Sequence, residues 1–365
     1  MHLRESYVRK STRTVYVGDV PVGGGSPIAI ESMTKTDTRD VRATVREIKK
    51  LEKTGCDLVR VAVPDYEAAE ALVPIKQKTK MPIIADIHFN YKLALMALEA
   101  DIDCVRINPG NIGGRENIIR TAEAARRQKV PLRIGVNAGS LEKSLLQKYG
   151  APIPEALVES ISKSVSLLED IGFTDLILSA KASRVPVNIE TYRMIANRFR
   201  YPLHVGVTEA GPPPSGTIRS AVGIGTLLAE GIGDTIRVSL TAPVEDEVEV
   251  GMEILKSLFL RESGPMIISC PTCGRCEVDL MRLVKQVEKK LAGETQPTVV
   301  AIMGCVVNGP GEAREADVGI AVGKGTALIF RKGEIVKKVA PSKAVNALFR
   351  EMKQVVKRRG KPRRR

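Results

Sequence analysis

The sequence predicts an α/β protein: an N-terminal (β/α)8 barrel of the TIM type, followed by a small α+β domain. Three observations carry this prediction. Short apolar runs alternate with amphipathic stretches, giving eight strand candidates between residues 27 and 240 and helical patterns between and after them. Alternation of that kind closes most simply as a barrel. The strand candidates also follow a two-unit repeat, odd ones opening with Pro and even ones with Asp. Beyond residue 260 the alternation stops, and short β runs carry most of the cysteines. The expected boundaries are 1–260 for the barrel, 261–350 for the small domain and 351–365 for a basic C-terminal tail.

In chain order, the strand candidates lie at 27–33, 57–63, 82–88, 103–108, 131–137, 175–181, 202–208 and 234–240. Helical patterns include 41–54, 66–79, 116–128, 155–170 and 245–260. Proline suits the first residue of a strand. The Asp positions usually follow a helix-ending glycine such as Gly55, Gly172 or Gly231. Pro131-Leu132-Arg133-Ile134-Gly135-Val136-Asn137 parallels Pro202-Leu203-His204-Val205-Gly206-Val207-Thr208, and Asp57-Leu58-Val59-Arg60 parallels Asp103-Cys104-Val105-Arg106 and Asp234-Thr235-Ile236-Arg237. The run Gly23-Gly24-Gly25 precedes the first strand and is expected to close the barrel bottom. The small domain reads as strand 266–269, helix 277–291, strand 298–303, β runs 318–322 and 327–331, a turn at Gly333 into 335–339, and a final helix at 342–357.

Period two sorts the faces of the barrel strands. The apolar faces should meet the helices, which leaves Arg133, Gly135 and Asn137, then His204, Gly206 and Thr208, and Asp86 and His88 looking into the lumen. The same sorting sends Arg60, Arg106, Asn108, Arg237 and Ser239 inward, with Ser179 and Lys181 on the candidate inner face of the sixth strand. A barrel interior is normally packed with branched apolar side chains. Unpaired buried cations are very costly. Glu31, Asp86 and Glu209 are too few to neutralise four arginines and a lysine. A bound phosphate or diphosphate would do so, with arginine giving bidentate contacts; for any one arginine, a salt bridge in the core is the competing reading. The loops 108–114 and 209–216 follow strands four and seven, at the rim where barrel enzymes build their sites.

Composition bounds the function. A chain of 365 residues with 43% hydrophobic and 27% charged residues is an ordinary globular protein. No apolar run approaches the roughly 18 residues of a membrane span, and the N-terminus lacks the apolar core of a signal peptide. These features predict a cytoplasmic protein without membrane partners. The net charge is +14, of which residues 353–365 supply eight Lys/Arg and no acid. We read that tail as a solvated terminus rather than a nucleic-acid arm, because no zinc-finger, RNA-recognition or helix-turn-helix pattern accompanies it. The remaining positive charge suits an acidic substrate or an acidic electron donor.

Cysteines in a reducing compartment point to metal or catalysis rather than disulfides. Four of the six lie in Cys270-Pro271-Thr272-Cys273-Gly274-Arg275-Cys276 and Gly304-Cys305-Val306-Val307-Asn308-Gly309-Pro310-Gly311-Glu312. A C-x-x-C turn with a distant third thiolate is one ligand short of an ordinary iron–sulfur set, so one iron would stay open for chemistry. Zinc with one further ligand competes for the same donors. Cys276 imitates a ferredoxin spacing, but we read it as a polarisable side chain on the first turn of the next helix. Glu312, beyond a Gly-Pro-Gly turn, is either a solvated loop residue or a weakly held fourth ligand. Cys56 and Cys104 lie at or near barrel strands and read as core or lumen residues.

The segments Ser269–Arg275 and Met303–Ala313, together with Asp86-Ile87-His88-Phe89, Arg106-Ile107-Asn108-Pro109-Gly110-Asn111-Ile112-Gly113 and Gly135-Val136-Asn137-Ala138-Gly139-Ser140-Leu141-Glu142, resemble the 4-hydroxy-3-methylbut-2-en-1-yl diphosphate synthase family. The resemblance runs from Ser11-Thr12-Arg13 to the last helix. It implies an iron–sulfur domain with a [4Fe–4S] cluster on Cys270, Cys273 and Cys305 and Glu312 as an exchangeable fourth ligand. It implies a barrel that binds 2-C-methyl-D-erythritol 2,4-cyclodiphosphate, with Arg60, Arg106, Arg133, Asn137, Lys181, Thr208, Arg237, Ser239 and Asn308 as candidate substrate ligands. Glu312, His88, Asp86 and Glu209 are candidates for positioning or proton delivery. A flavodoxin or ferredoxin is the implied donor, and the family's homodimer sets the barrel of one chain against the cluster domain of its partner. Cys276 departs from the family pattern, where a non-thiol residue is more frequent.

Overall fold

The computed structural model describes residues 8–306, 311 and 313–359. The chain divides between Arg261 and Glu262 into two compact units. The first opens with an antiparallel hairpin, β1 (Val15–Val17) and β2 (Val20–Val22). Eight parallel strands follow: β3 (Ala29–Met33), β4 (Leu58–Ala62), β5 (Ile83–Ile87), β6 (Cys104–Ile107), β7 (Leu132–Asn137), β8 (Leu176–Lys181), β9 (His204–Val205) and β10 (Thr235–Ile236). They order as β8-β7-β6-β5-β4-β3-β10-β9, and a bridge between Leu178 and Leu203 closes the ring. The expected eight-stranded barrel is therefore present. Its seventh and eighth strands are two-residue ladders rather than the seven-residue runs the sequence suggests.

Helices α1 (Val41–Lys53), α2 (Tyr66–Lys78), α3 (Tyr91–Glu99), α4 (Arg115–Gln128), α5 (Lys143–Tyr149), α6 (Pro154–Asp170), α7 (Val185–Arg198), α8 (Ser215–Ala229) and α9 (Val244–Ser257) cover the barrel. Their starts are chemically specified. Asp40 accepts from Ala43 N (2.9 Å), Asp65 from Ala68 N (2.9 Å) and Asn90 from Lys92 N (3.0 Å), which satisfies N–H groups that a helix leaves orphaned. The apolar strand faces and the helices form one continuous core, in which Val59, Val61, Ile83, Ile87, Val105, Ile134 and Leu178 are fully buried.

The Pro/Asp alternation has a physical basis. Asp57 accepts the Ile30 N–H (2.8 Å), Asp103 the Ile83 N–H (2.7 Å) and Asp234 the Leu203 N–H (2.9 Å). Each carboxylate thus holds the start of a neighbouring odd strand. Asp175 departs from the pattern, since Leu132 N donates to its backbone carbonyl instead (3.0 Å). The same end of the barrel is sealed. Val15, Val17 and Val22 of the hairpin pack against Ala29, Leu58, Ile84, Cys104 and Ile177, the first inward residues of five strands. Closure is thus made by hairpin valines, while Gly23, Gly24 and Gly25, at φ +86°, +60° and +80°, bend the chain into the barrel.

The second unit is a five-stranded sheet, β11 (Pro265–Ser269), β12 (Thr298–Met303), β13 (Val318–Val322), β14 (Ala327–Arg331) and β15 (Glu334–Val339), in sequence order. The first three strands are parallel and the last two antiparallel. Helices α10 (Leu280–Leu291) and α11 (Ala344–Arg359) cover one face through Leu280, Val287, Leu348 and Met352. The α+β expectation holds here, with one correction. Helix α10 begins at Leu280, where Asp279 accepts the Arg282 N–H (3.0 Å), rather than at 277. Cys276 is therefore not on its first turn but closes the preceding turn, donating its N–H to Cys273 O (2.9 Å). The last helix absorbs residues 351–359, so the basic segment begins on ordered helix. No helix among the described residues is long and apolar enough to cross a membrane.

Candidate functional site

Strand periodicity delivers the inward side chains as the sequence suggests. A cavity of about 230 Å³ in the lumen is lined by Arg60, Asp86, His88, Arg106, Arg133, Asn137, Lys181, Thr208, Arg237 and Ser239, joined by Met33 and Ser179. Ten of the sequence-derived candidates thus meet around one space. Glu209 does not: it is exposed on the rim loop at φ +55° and lies outside this lining. Asn308 and Glu312 lie outside the described residues. A larger groove of about 810 Å³ runs over the outer helices, but its charges of both signs do not converge on one ligand group.

The cations are held by three buried carboxylates. Glu31 receives Arg133 Nη1 (2.8 Å) and pairs with Nη2 (2.5 Å). Asp86 receives Arg106 Nη1 (2.9 Å), and His88 Nε2 lies 3.4 Å from its other oxygen. The third carboxylate, Glu247, is one that sequence reasoning missed. It projects from α9, accepts the Leu240 N–H (3.0 Å), bonds Ser32 Oγ (3.3 Å), pairs with Lys35 (3.1 Å) and lies 3.8 Å from Arg237. Five lumen cations against three acids leave net positive charge, and even Arg133, paired with Glu31, keeps a buried Nε without a hydrogen-bond partner among the described residues.

Arg60 and Arg237 stand farther from their carboxylates. Arg60 Nε stands 3.7 Å from Glu31 and 3.8 Å from Asp86, beyond hydrogen-bond reach. The Nε atoms of both arginines, like that of Arg133, are buried without a hydrogen-bond partner among the described residues. Buried donors left open cost free energy unless a ligand takes them. An anion in the lumen would.

Electrostatics follow from this packing. Burial pushes the Asp86 carboxyl up, but Arg106, Arg60 and His88 outweigh it and hold it well below the usual carboxylate range. Glu31 is likewise lowered, burial being overcome by Arg133, Arg60 and Lys181. Burial brings Arg237 down to about 10, helped by Arg60. Lys181 is held well below the ordinary lysine range by burial and then by Arg60 and Arg237. Its Nζ lies 2.9 Å from His204 Nε2. Burial, followed by Arg133 and Lys181, keeps His204 neutral.

Two inward glycines make room for these cations. A Cβ on Gly135 would sit 2.4 Å from Arg106 Nε. A Cβ on Gly206 would sit 2.9 Å from Lys181 Nζ and 2.5 Å from Arg237 O. The paralleled Gly of strands β7 and β9 is thus a hollow for a charged side chain in both places. Of the remaining cysteines, Cys104 is in the sealed floor of the lumen and Cys56 in the strand–helix core, and burial raises both thiols to about 12.

In the second unit, Cys270 follows β11 and Cys305 follows β12, on adjacent parallel strands paired Ser269 to Ile302. Cys270 N donates to Ile302 O (3.4 Å), and the Gly304 N–H donates to Cys270 Sγ (3.4 Å). Cys273 is exposed on the intervening turn, where the Arg275 N–H lowers its thiol from the ordinary range. Cys276 packs over Gly304, whose Cβ position would fall 2.4 Å from its Sγ. Among the described residues no three His, Cys, Asp or Glu side chains are gathered closely enough to hold a metal ion. The donor chemistry nevertheless fits a soft centre: exposed or half-buried thiols at two neighbouring strand ends, one already lowered and one receiving a backbone N–H.

Residues 12–252 match the GcpE TIM-barrel domain, and residues 266–354 match the GcpE protein C-terminal domain. The 4-hydroxy-3-methylbut-2-en-1-yl diphosphate synthase (flavodoxin) of Geobacter sulfurreducens is 56% identical over 349 residues, spanning 96% of this chain and 99% of that protein. The protein of the same name from Thermodesulfovibrio yellowstonii is 54% identical over 346 residues, 95% of this chain and 99% of its own. That of Clostridium acetobutylicum is 55% identical over 344 residues, 94% and 99% respectively.

Proposed function

The chain belongs to the GcpE family, the 4-hydroxy-3-methylbut-2-en-1-yl diphosphate synthases, and from that premise we propose that it reductively opens 2-C-methyl-D-erythritol 2,4-cyclodiphosphate to 4-hydroxy-3-methylbut-2-enyl diphosphate, a step of non-mevalonate isoprenoid biosynthesis. The observation that carries this reading is the cationic lumen, where the buried Nε donors of three arginines, Arg60, Arg133 and Arg237, lack hydrogen-bond partners among the described residues.

In this reading Arg60, Arg237, Lys181 and Arg106 take the diphosphate oxygens, and Asn137, Thr208 and Ser239 orient the carbon skeleton by hydrogen bonds. Arg133 acts one step back: paired with Glu31, it keeps that carboxylate in place 3.7 Å from Arg60. His88 is the lumen's partly exposed imidazole: its Nε2 faces the donor Arg106 Nη1 as acceptor (3.0 Å) and is the atom at which a proton would be exchanged beside Asp86, 3.4 Å away. Glu209, at the rim, and Asn308 remain candidates for positioning. Cys270, Cys273 and Cys305 would hold a [4Fe–4S] cluster, with Glu312 as the exchangeable fourth ligand. When bound, it supplies single electrons and a Lewis-acidic iron. Flavodoxin stands in the relatives' names, and it or a ferredoxin is the proposed donor; a net charge of +14 favours an acidic protein. A homodimer that offers the thiols of one chain to the lumen of its partner completes the reading.

The test is anaerobic. Reconstituted protein should contain about four iron and four sulfide per chain, show an EPR spectrum altered by the cyclic diphosphate, and turn it over with reduced flavodoxin. Zinc in place of iron, without sulfide, would overturn the reductase reading.

A further inference from the structure

Lys181 and His204 form a buried pair that the binding role of the lumen does not by itself explain. His204 is fully buried on β9. Its backbone carbonyl accepts the Tyr192 hydroxyl (2.6 Å), and that hydroxyl in turn receives the Ala180 N–H (3.3 Å). The His204 backbone is thus tied, through Tyr192, to the strand that carries Lys181. Its Nε2 faces Lys181 Nζ at 2.9 Å, while Nδ1 lies 3.5 Å from Thr235 Oγ1. Since Lys181 can only donate when charged, His204 Nε2 is the acceptor in the protonated pair.

The charged groups around this pair are Glu31 from β3, Arg60 from β4, Arg133 from β7 and Arg237 immediately after β10, with Asp86 from β5 and Arg106 from β6 also lining the lumen. Glu31 is 3.6 Å from His204 Nε2 but is already paired with Arg133. Lys181 therefore sits among cations with only a shared carboxylate nearby. Gly206 lets it approach the chain closely, which fixes the amine rather than letting it retreat to solvent.

We propose that His204 is a positioning residue that pins the Lys181 amine in the lumen, and that Lys181 is the group through which anion binding takes up a proton. This inference rests on the reading that the lumen takes a cyclic diphosphate. With the lumen free of anion, burial and the neighbouring guanidinium groups disfavour the ammonium form. An incoming diphosphate supplies the opposite charge and restores it. The proton comes from solvent. Each phosphorus of a cyclic diphosphate carries one ester and one anhydride bridge and keeps one strongly acidic hydroxyl, so the ligand itself takes none near neutrality. Uptake occurs where pH lies above the free value of Lys181 and below its bound value. Within that window affinity falls about tenfold per unit as pH rises.

The experiment is calorimetric titration of the intact protein with the cyclic diphosphate from about pH 6.5 to about 9.5, below the ordinary lysine value, in buffers of different ionisation enthalpy. Uptake approaching one proton is expected, lost in Lys181→Gln and kept in His88→Asn, which removes the other imidazole of the cavity. His204→Leu should move the pH midpoint of binding down by about one unit or more, because the ammonium loses its acceptor. His204→Gln, whose amide oxygen reaches the Nε2 position, should restore it. Tight binding with no proton uptake anywhere in that range overturns the inference and leaves the function standing. So does uptake lost in His88→Asn and kept in Lys181→Gln. Absence of binding at every pH overturns the functional reading and the inference together.

Discussion

Replacing Gly135 by alanine tests whether the lumen is built around Arg106. The new Cβ would lie 2.4 Å from Arg106 Nε, where ordinary contact starts at 3.4 Å. The guanidinium must therefore retreat by about an ångström. Its bond to Asp86 is 2.9 Å and its bond to Gly135 O is 3.0 Å, so that displacement carries both beyond hydrogen-bond range. Overpacking of a core costs about 1–3 kcal/mol, and a lost hydrogen bond to a charged group about 1.5–3. A destabilisation of about 2–5 kcal/mol is expected, which lowers the melting temperature of a unit this size by roughly 5–15 °C. Scanning calorimetry reads the stability, and titration with the cyclic diphosphate reads the affinity, which should fall at least tenfold. Gly139→Ala is the control, since nothing lies within 4 Å of its Cβ position. A Gly135→Ala protein with unchanged melting and unchanged affinity would refute the close-approach argument, and with it the assignment of Arg106 to the anion site.

Two further predictions follow from the buried carboxylates. Asp86 has a lowered folded-state value, so its stabilisation is complete above the unfolded carboxylate range and disappears only as pH falls through the folded value. Arg106→Met removes the largest lowering influence, and the midpoint of acid unfolding should rise by about one pH unit; an unmoved midpoint would show that Arg60 and His88 suffice. Glu247→Leu strips Arg237 and Lys35 of their carboxylate and should cost about 3–5 kcal/mol in urea unfolding. Glu247→Gln still accepts the Leu240 N–H and should cost clearly less, so equal losses would show that charge on Glu247 is immaterial.

The barrel was legible because a strand has only two faces. Once Arg133 and Asn137 were seen to alternate with Leu132, Ile134 and Val136, the lumen side followed for every strand that repeats the pattern. What the alternation cannot give is chemistry that enters from a helix. Glu247 lies in an acidic run with Glu245, Asp246 and Glu249, and periodicity alone does not mark which of these turns inward to Leu240 N and Arg237. Nor does it separate Arg133, paired with Glu31, from Arg60, whose nearest carboxylates are out of reach: both read as inward arginines. Helix α5, inserted between β7 and α6, was not anticipated, and neither was the start of α10 at Asp279, because Glu277 offers an equally acidic opening while the side-chain cap forms two residues later. In the other direction, the Pro/Asp repeat was visible as a regularity before its cause was. Its cause is a carboxylate tying each odd strand to its neighbour, and only three-dimensional pairing of Asp57 with Ile30, or Asp103 with Ile83, reveals that.

The valine hairpin beneath the barrel governs traffic. With Val15, Val17 and Val22 as a stopper at the N-terminal end, the described residues leave the lumen to be entered from the other. A molecule that enters must leave by backing out along the way it came. On the proposed reading, arrival of the next molecule and departure of the last exclude each other, and a product that keeps both its phosphates meets the same guanidinium groups as its precursor. If the lumen is that site, product should inhibit competitively with substrate.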